Sequence, residues 1–191
     1  MTFSSQFEMK NEEDFDLSRN IEQFSISEIY LWREMVLRDD SLFLRVYKLI
    51  SSDNPRVAWH AAWLIDHASE ADPTKLEPFV MELIERLPNL TSSSLKRHFT
   101  RMLIKQEIPE EKLGQMVDVL LGLLKPSEAI AVRANALQLL YQITMKEPDL
   151  KGELIYVLET MLEEEQSRGI LSKGKKILKA LRASMTQKGT E

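Results

Sequence analysis

Apolar positions recur along this chain with a helical period. Leu76, Phe79, Val80, Leu83, Ile84 and Leu87 occupy one stripe of a helix. Adding 37 to each number gives Leu113, Met116, Val117, Leu120, Leu121 and Leu124, all apolar. Adding 37 again gives Leu150, Glu153, Leu154, Val157, Leu158 and Met161, with one polar exception. Subtracting 37, with the first member dropped, gives Leu42, Phe43, Val46, Tyr47 and Ile50. A second stripe follows each of these. It reads Val57, Ala61, Ile65; Leu95, Phe99, Leu103; Val132, Ala136, Leu140; and Ile170, Gly174, Leu178. The two series advance together, so the unit is a helix pair repeated about four times. Such a pair cannot bury both stripes alone, whereas stacked neighbours share one core. Pro55, Pro73, Pro109, Pro126 and Pro148 fall at or near the expected helix ends, where a missing N–H is tolerated.

Val57-Ala58-x-x-Ala61 and Val132-Arg133-x-x-Ala136, preceded by Asp53-Asn54-Pro55 and Lys125-Pro126, resemble HEAT repeats. Ala71–Pro73 and Glu147-Pro148 stand where that family places a loop before the next unit. Phe99 in place of the small Ala and Leu171 in place of the Arg depart from the pattern. The resemblance spans roughly residues 39–183. It implies an all-α fold, a right-handed α-solenoid (an α-α superhelix) of about four HEAT-like helix pairs, in the armadillo-like class. A further helix over about Ile26 to Leu37, carrying Ile29, Trp32, Met35 and Val36, is expected to cap repeat one, with Ser25 or Ser27 at its start. Residues 1–24 carry six acids and two bases and read as a disordered acidic leader. Residues 25–185 then form a single domain, and 186–191 a frayed tail.

Composition adds exclusions. The chain has 191 residues and no cysteine, which removes disulfides, thiolate metal sites and a Cys nucleophile. Its opening lacks the apolar core of a signal peptide, and no apolar run approaches the ~18 residues of a membrane span. The chain therefore reads as cytoplasmic, with no membrane partner. The net charge is −5, which gives no prior for nucleic acid. Sorted by helix, however, the formal charge is −7 over the first helices of the four pairs and +10 over the second helices. By resemblance the second helices line the concave side, so that side is expected to be basic. Intramolecular charge balance is the alternative.

The stretch Val57–Asp66, VAWHAAWLID, concentrates two of the three Trp and one of the three His. On a helical wheel with Val57 at zero, Trp59, Trp63 and Asp66 fall at roughly 180° to 240°, opposite the core stripe. His60 and His67 lie on a flank expected to meet a neighbouring repeat. The same outward face yields Arg97 and Arg101 in the next pair, Gln138 and Tyr141 in the third, and Lys176 and Lys179 in the fourth. Trp59, Trp63, Asp66, Arg97, Arg101, Gln138, Tyr141, Lys176 and Lys179 are thus the expected contact surface. Exposed aromatics beside forked cations give much binding energy per residue. In the alternative reading, Trp59 and Trp63 pack against the N-terminal helix.

No metal-ligand spacing, nucleophile elbow or phosphate loop is present, and no cofactor or metal is expected. The function expected is non-catalytic binding of a protein or peptide on the concave face. The alternative is nucleic-acid binding on a basic groove. Trp59, Trp63, Asp66 and Arg101 are loosely similar to the Trp, Asp and Arg of alkylation-repair DNA glycosylases, which are also built from HEAT-like helix pairs.

Overall fold

The computed structural model describes residues 17–186, and every described regular element is helical. In the order of the chain these are α1 (17–23), α2 (Ile29–Arg38), α3 (Asp40–Lys48), α4 (Pro55–Ala71), α5 (Val80–Arg86), α6 (Ser93–Ile104), α7 (Leu113–Gly122), α8 (Ile130–Lys146), α9 (Lys151–Glu164) and α10 (Arg168–Thr186). Helices α4, α6, α8 and α10 are the second members of successive pairs. They begin at residues 55, 93, 130 and 168, which reproduces the period read from the apolar stripes.

Local chemistry sets the helix starts. The Asp39 carboxylate accepts the N–H groups of Ser41 and Leu42 at 2.9 and 3.1 Å. The Asn54 side-chain oxygen accepts those of Arg56 and Val57, with Pro55 at the first helical position. Ser92 and Ser167 cap α6 and α10 through Leu95 and Ile170. Each satisfies donors that the helix leaves open, worth about 1 kcal/mol apiece. Of the two serines expected to cap the N-terminal helix, Ser25 takes the role. Its N–H and hydroxyl both donate to Glu28, opening a 3-10 turn (Ile26–Glu28) that leads into α2.

The chain divides into two compact units, up to Pro78 and from Phe79. In the first, α4 packs against α2, α3 and the 3-10 turn Leu49–Ser51. Val57, Ala61, Leu64, Ile65 and Ala68 are fully enclosed there, together with Val46 and Ile50. Part of the segment expected to be a disordered leader is ordered. Residues 17–23 are helical, and Leu17, Ile21 and Phe24 are buried. Three apolar side chains at i, i+4 and i+7 give this segment enough area to dock, despite its acidic surroundings. Residues 1–16 and 187–191, the remainder of the expected leader and tail, lie outside the described residues, and α10 continues to Thr186.

In the second unit the second helices α6, α8 and α10 lie side by side, with α5 against α6, α7 against α8, and α9 against both α8 and α10. The core holds Leu83, Ile84, Phe99, Leu103, Met116, Leu120, Val132, Ala136, Leu158, Ile170 and Leu181. Phe99, where a small residue was the pattern, is fully buried, and the Arg86 guanidinium sits 5.2 Å over its ring. Gly174 is buried because Leu162 of α9 crosses it. A β-carbon there would come within 2.7 Å of a Leu162 methyl.

Candidate functional site

In the first unit, α4 and the chain around Phe24 build an aromatic stack. Phe24 lies 5.6 Å from Trp63 at an interplanar angle of 19°, and Trp63 lies 6.3 Å from Trp59 at 11°. These are offset-stacked geometries. His60 sits inside the cluster, 4.8 Å from the Phe24 ring and 5% exposed, with Nδ1 2.8 Å from the Ile21 carbonyl. The flank of His60, expected to meet a neighbouring repeat, meets α1 instead. Trp63 is half-buried, so packing against the N-terminal segment accounts for it. Trp59 ends the stack and remains 41% exposed.

Asp66 differs from expectation. The helical wheel puts it on the outward face, yet it is fully buried. Its wheel position adjoins Ala62 and Ser69, both buried, and the Ser69 hydroxyl donates to the Asp66 carbonyl at 2.8 Å. The arc of α4 left to solvent is narrower than the half-turn opposite the core stripe. Asp66 therefore leaves the set of surface candidates.

In the second unit, side-chain bonds fix the register of α8 against α6. Asn135 of α8 donates to the Arg97 carbonyl and the Thr100 hydroxyl of α6, at 3.2 and 3.0 Å. One turn pair later, Gln142 donates to the Ile104 carbonyl at 3.2 Å. Helices α6 and α8 thus run in the same direction, Arg97 level with Asn135 and Ile104 level with Gln142. Arg97, Lys176 and Lys179 are exposed, while Arg101, Gln138 and Tyr141 are half-buried. All six sit on the solvent side of three neighbouring helices.

Much of the basic excess of the second helices is neutralised within the unit. Lys96 pairs with Glu128, Lys146 with Glu107 at 2.5 Å, and Arg182 with Glu159. The most enclosed pair joins Arg133 to Glu165, whose side chains are 5% and 7% exposed. Arg133 also donates from Nε to the Leu124 carbonyl at 2.9 Å, and Glu165 accepts the Ser167 N–H at 2.7 Å. The hydrogen bond from Arg133 holds the Glu165 carboxyl below the usual glutamate range, against the opposing effect of burial. Arg97, Lys175, Lys176 and Lys179 form no ion pair among the described residues.

One surface was not picked out from the sequence. Beside Tyr141 a cleft of about 400 Å³ opens between the end of α8 and the turn after α6, with Met145 at its mouth. The signal was present: Met145 follows Tyr141 by four residues and continues the same outward row.

Paired helices repeated at a fixed interval, with second helices stacked side by side, define a helical repeat scaffold. The chain belongs to the HEAT repeat domain family, whose model matches residues 14–181. No curated protein and no solved structure matches it. Among the described residues, no helix is long and apolar enough to cross a membrane.

Proposed function

We propose that this protein is a non-catalytic binding module whose ligand is an acidic peptide or protein segment. The observation that carries the reading is the solvent side of α6, α8 and α10. There, Arg97, Lys176 and Lys179 stand exposed and form no ion pair among the described residues, beside the half-buried Arg101, Gln138 and Tyr141. Exposed cations on helices packed side by side attract a carboxylate-bearing chain over a distance of about a Debye length, ~8 to 10 Å. Tyr141 adds rigid apolar area at low entropic cost. Trp59 in the first unit is a separate contact point, stacked from behind and open on its outer face. Its partner is a planar or apolar side chain.

The test compares partners recovered by wild type with those recovered by the triple variant Arg97→Glu/Lys176→Glu/Lys179→Glu. Loss of acidic partners supports the reading, and an identical partner set rules it out. Gel shifts with single-stranded and duplex DNA separate the nucleic-acid alternative, whose affinity must fall steeply with salt.

A further inference from the structure

We infer that the cleft beside Tyr141 is an anchor pocket for one bulky apolar side chain of the bound segment, placed three to four residues from its acidic residues. The inference rests on the acidic-peptide reading above and adds the form of the motif.

The pocket has an apolar floor and an open rim. Ile108, Leu139 and Ile143 are buried at its base, while Tyr141 is half-buried and Met145 and Lys146 are exposed at the mouth. Its volume of about 400 Å³ exceeds that of a leucine or phenylalanine side chain. Met145 is 42% exposed in this state, and an occupant would cover it. Gln142 stiffens the wall, because its amide is tied to the Ile104 carbonyl of the facing helix. A hollow with an apolar base, a polar wall of Gln106 and Gln142 and a flexible methionine at the rim suits an unbranched or γ-branched apolar side chain.

Charge determines what flanks that side chain. Along α6 (Ser93–Ile104) the approach to the pocket carries no acid and presents the exposed Arg97, which forms no ion pair among the described residues, while Lys96 is neutralised by Glu128. Arg97 lies at the far end of that approach and Ile104, level with Gln142, at the pocket end. Seven residues of helix separate them, roughly 10 Å at 1.5 Å per residue. An extended chain covers that distance in about three residues at ~3.3 Å each, or four to reach the pocket floor. A segment lying along the seam between α6 and α8 would therefore set carboxylates at Arg97 while its apolar residue enters the cleft.

Fluorescence polarisation with the full chain tests this. The probes are fluorescein-labelled ten-residue peptides of Glu, Ser and Gly, with two adjacent Glu and one Leu placed one, four or eight residues away. The expected result is tightest binding at the four-residue spacing, roughly tenfold or more over the same peptide with Leu changed to Ser. Met145→Ala, at an exposed position, is expected to remove most of that difference. Arg97→Glu is expected to weaken every acidic peptide alike. Equal affinity for the Leu and Ser peptides, or indifference to spacing, overturns the anchor pocket while leaving the acidic-peptide reading in place. No binding of any acidic peptide overturns both.

Discussion

Replacing Glu165 with Gln exposes how much the second unit depends on one enclosed ion pair. The substitution keeps shape and one acceptor but removes the charge that faces Arg133. Arg133 is 4% exposed, and its two bonds go to Glu165 and to the Leu124 carbonyl. A guanidinium left there must either stay charged without a counter-charge or draw water in from the cleft formed by Leu124, Pro126, Met161 and Glu165. Removing one partner of a buried pair costs about 3–5 kcal/mol, whereas an exposed pair contributes about 0–1. Because the pair borders a cleft, the expected loss is near the low end, about 3 kcal/mol. Urea unfolding followed by far-UV circular dichroism measures it, since all three tryptophans lie in the first unit and do not report on this one. The loss must also depend on pH. The folded-state pKa of Glu165 is lowered, so its contribution is complete above the ordinary glutamate value of about 4.3 and disappears as pH falls through the folded value. The gap between wild type and Glu165→Gln should therefore narrow in acid. A loss under about 1 kcal/mol at pH 7, or a gap unchanged at pH 3, would refute the claim that this pair is enclosed and charged.

Glycines divide in the same assay. Gly152→Ala, with nothing near the added carbon, should stabilise by roughly 0.5 kcal/mol, whereas Gly174→Ala should destabilise, because contact with Leu162 outweighs a helix-propensity gain of ~1 kcal/mol. Phe24→Ala should cost about 3 kcal/mol in the first unit and shift tryptophan emission to the red as Trp63 loses its cover; unchanged emission would place the stack elsewhere. Asn135→Ala should cost about 1 kcal/mol by leaving the Thr100 and Arg97 acceptors without its amide, whereas Gln138→Ala, on the solvent side, should change stability by less than about 0.5 kcal/mol.

The repeat, the helix pairing and the identity of the second helices were legible in the sequence because they follow from period alone. A stripe at i, i+3, i+4 and i+7 must face a core wherever the helix lies, so Val132, Ala136 and Ile170 were readable as enclosed without any tertiary knowledge. The sorting of charge between first and second helices was equally a matter of counting. Which charges stay available was not, because that depends on acids distant in sequence. Glu128, Glu165 and Glu107 reach Lys96, Arg133 and Lys146 across 32, 32 and 39 positions. Tertiary packing also decided the fate of the VAWHAAWLID stretch. A wheel gives direction but not the depth of cover on each side, so it could not separate Asp66, fully buried, from Trp59, 41% exposed, although they lie about 20° apart. Nor could it find the order in residues 17–24, whose acidic surroundings concealed three apolar side chains that gain a partner only once α4 is in place. The apolar period specifies the helices and the sides they bury, because each helix must hide its own stripe. Which polar and aromatic groups remain for a ligand depends on packing, because neighbouring elements cover some of them and leave others open.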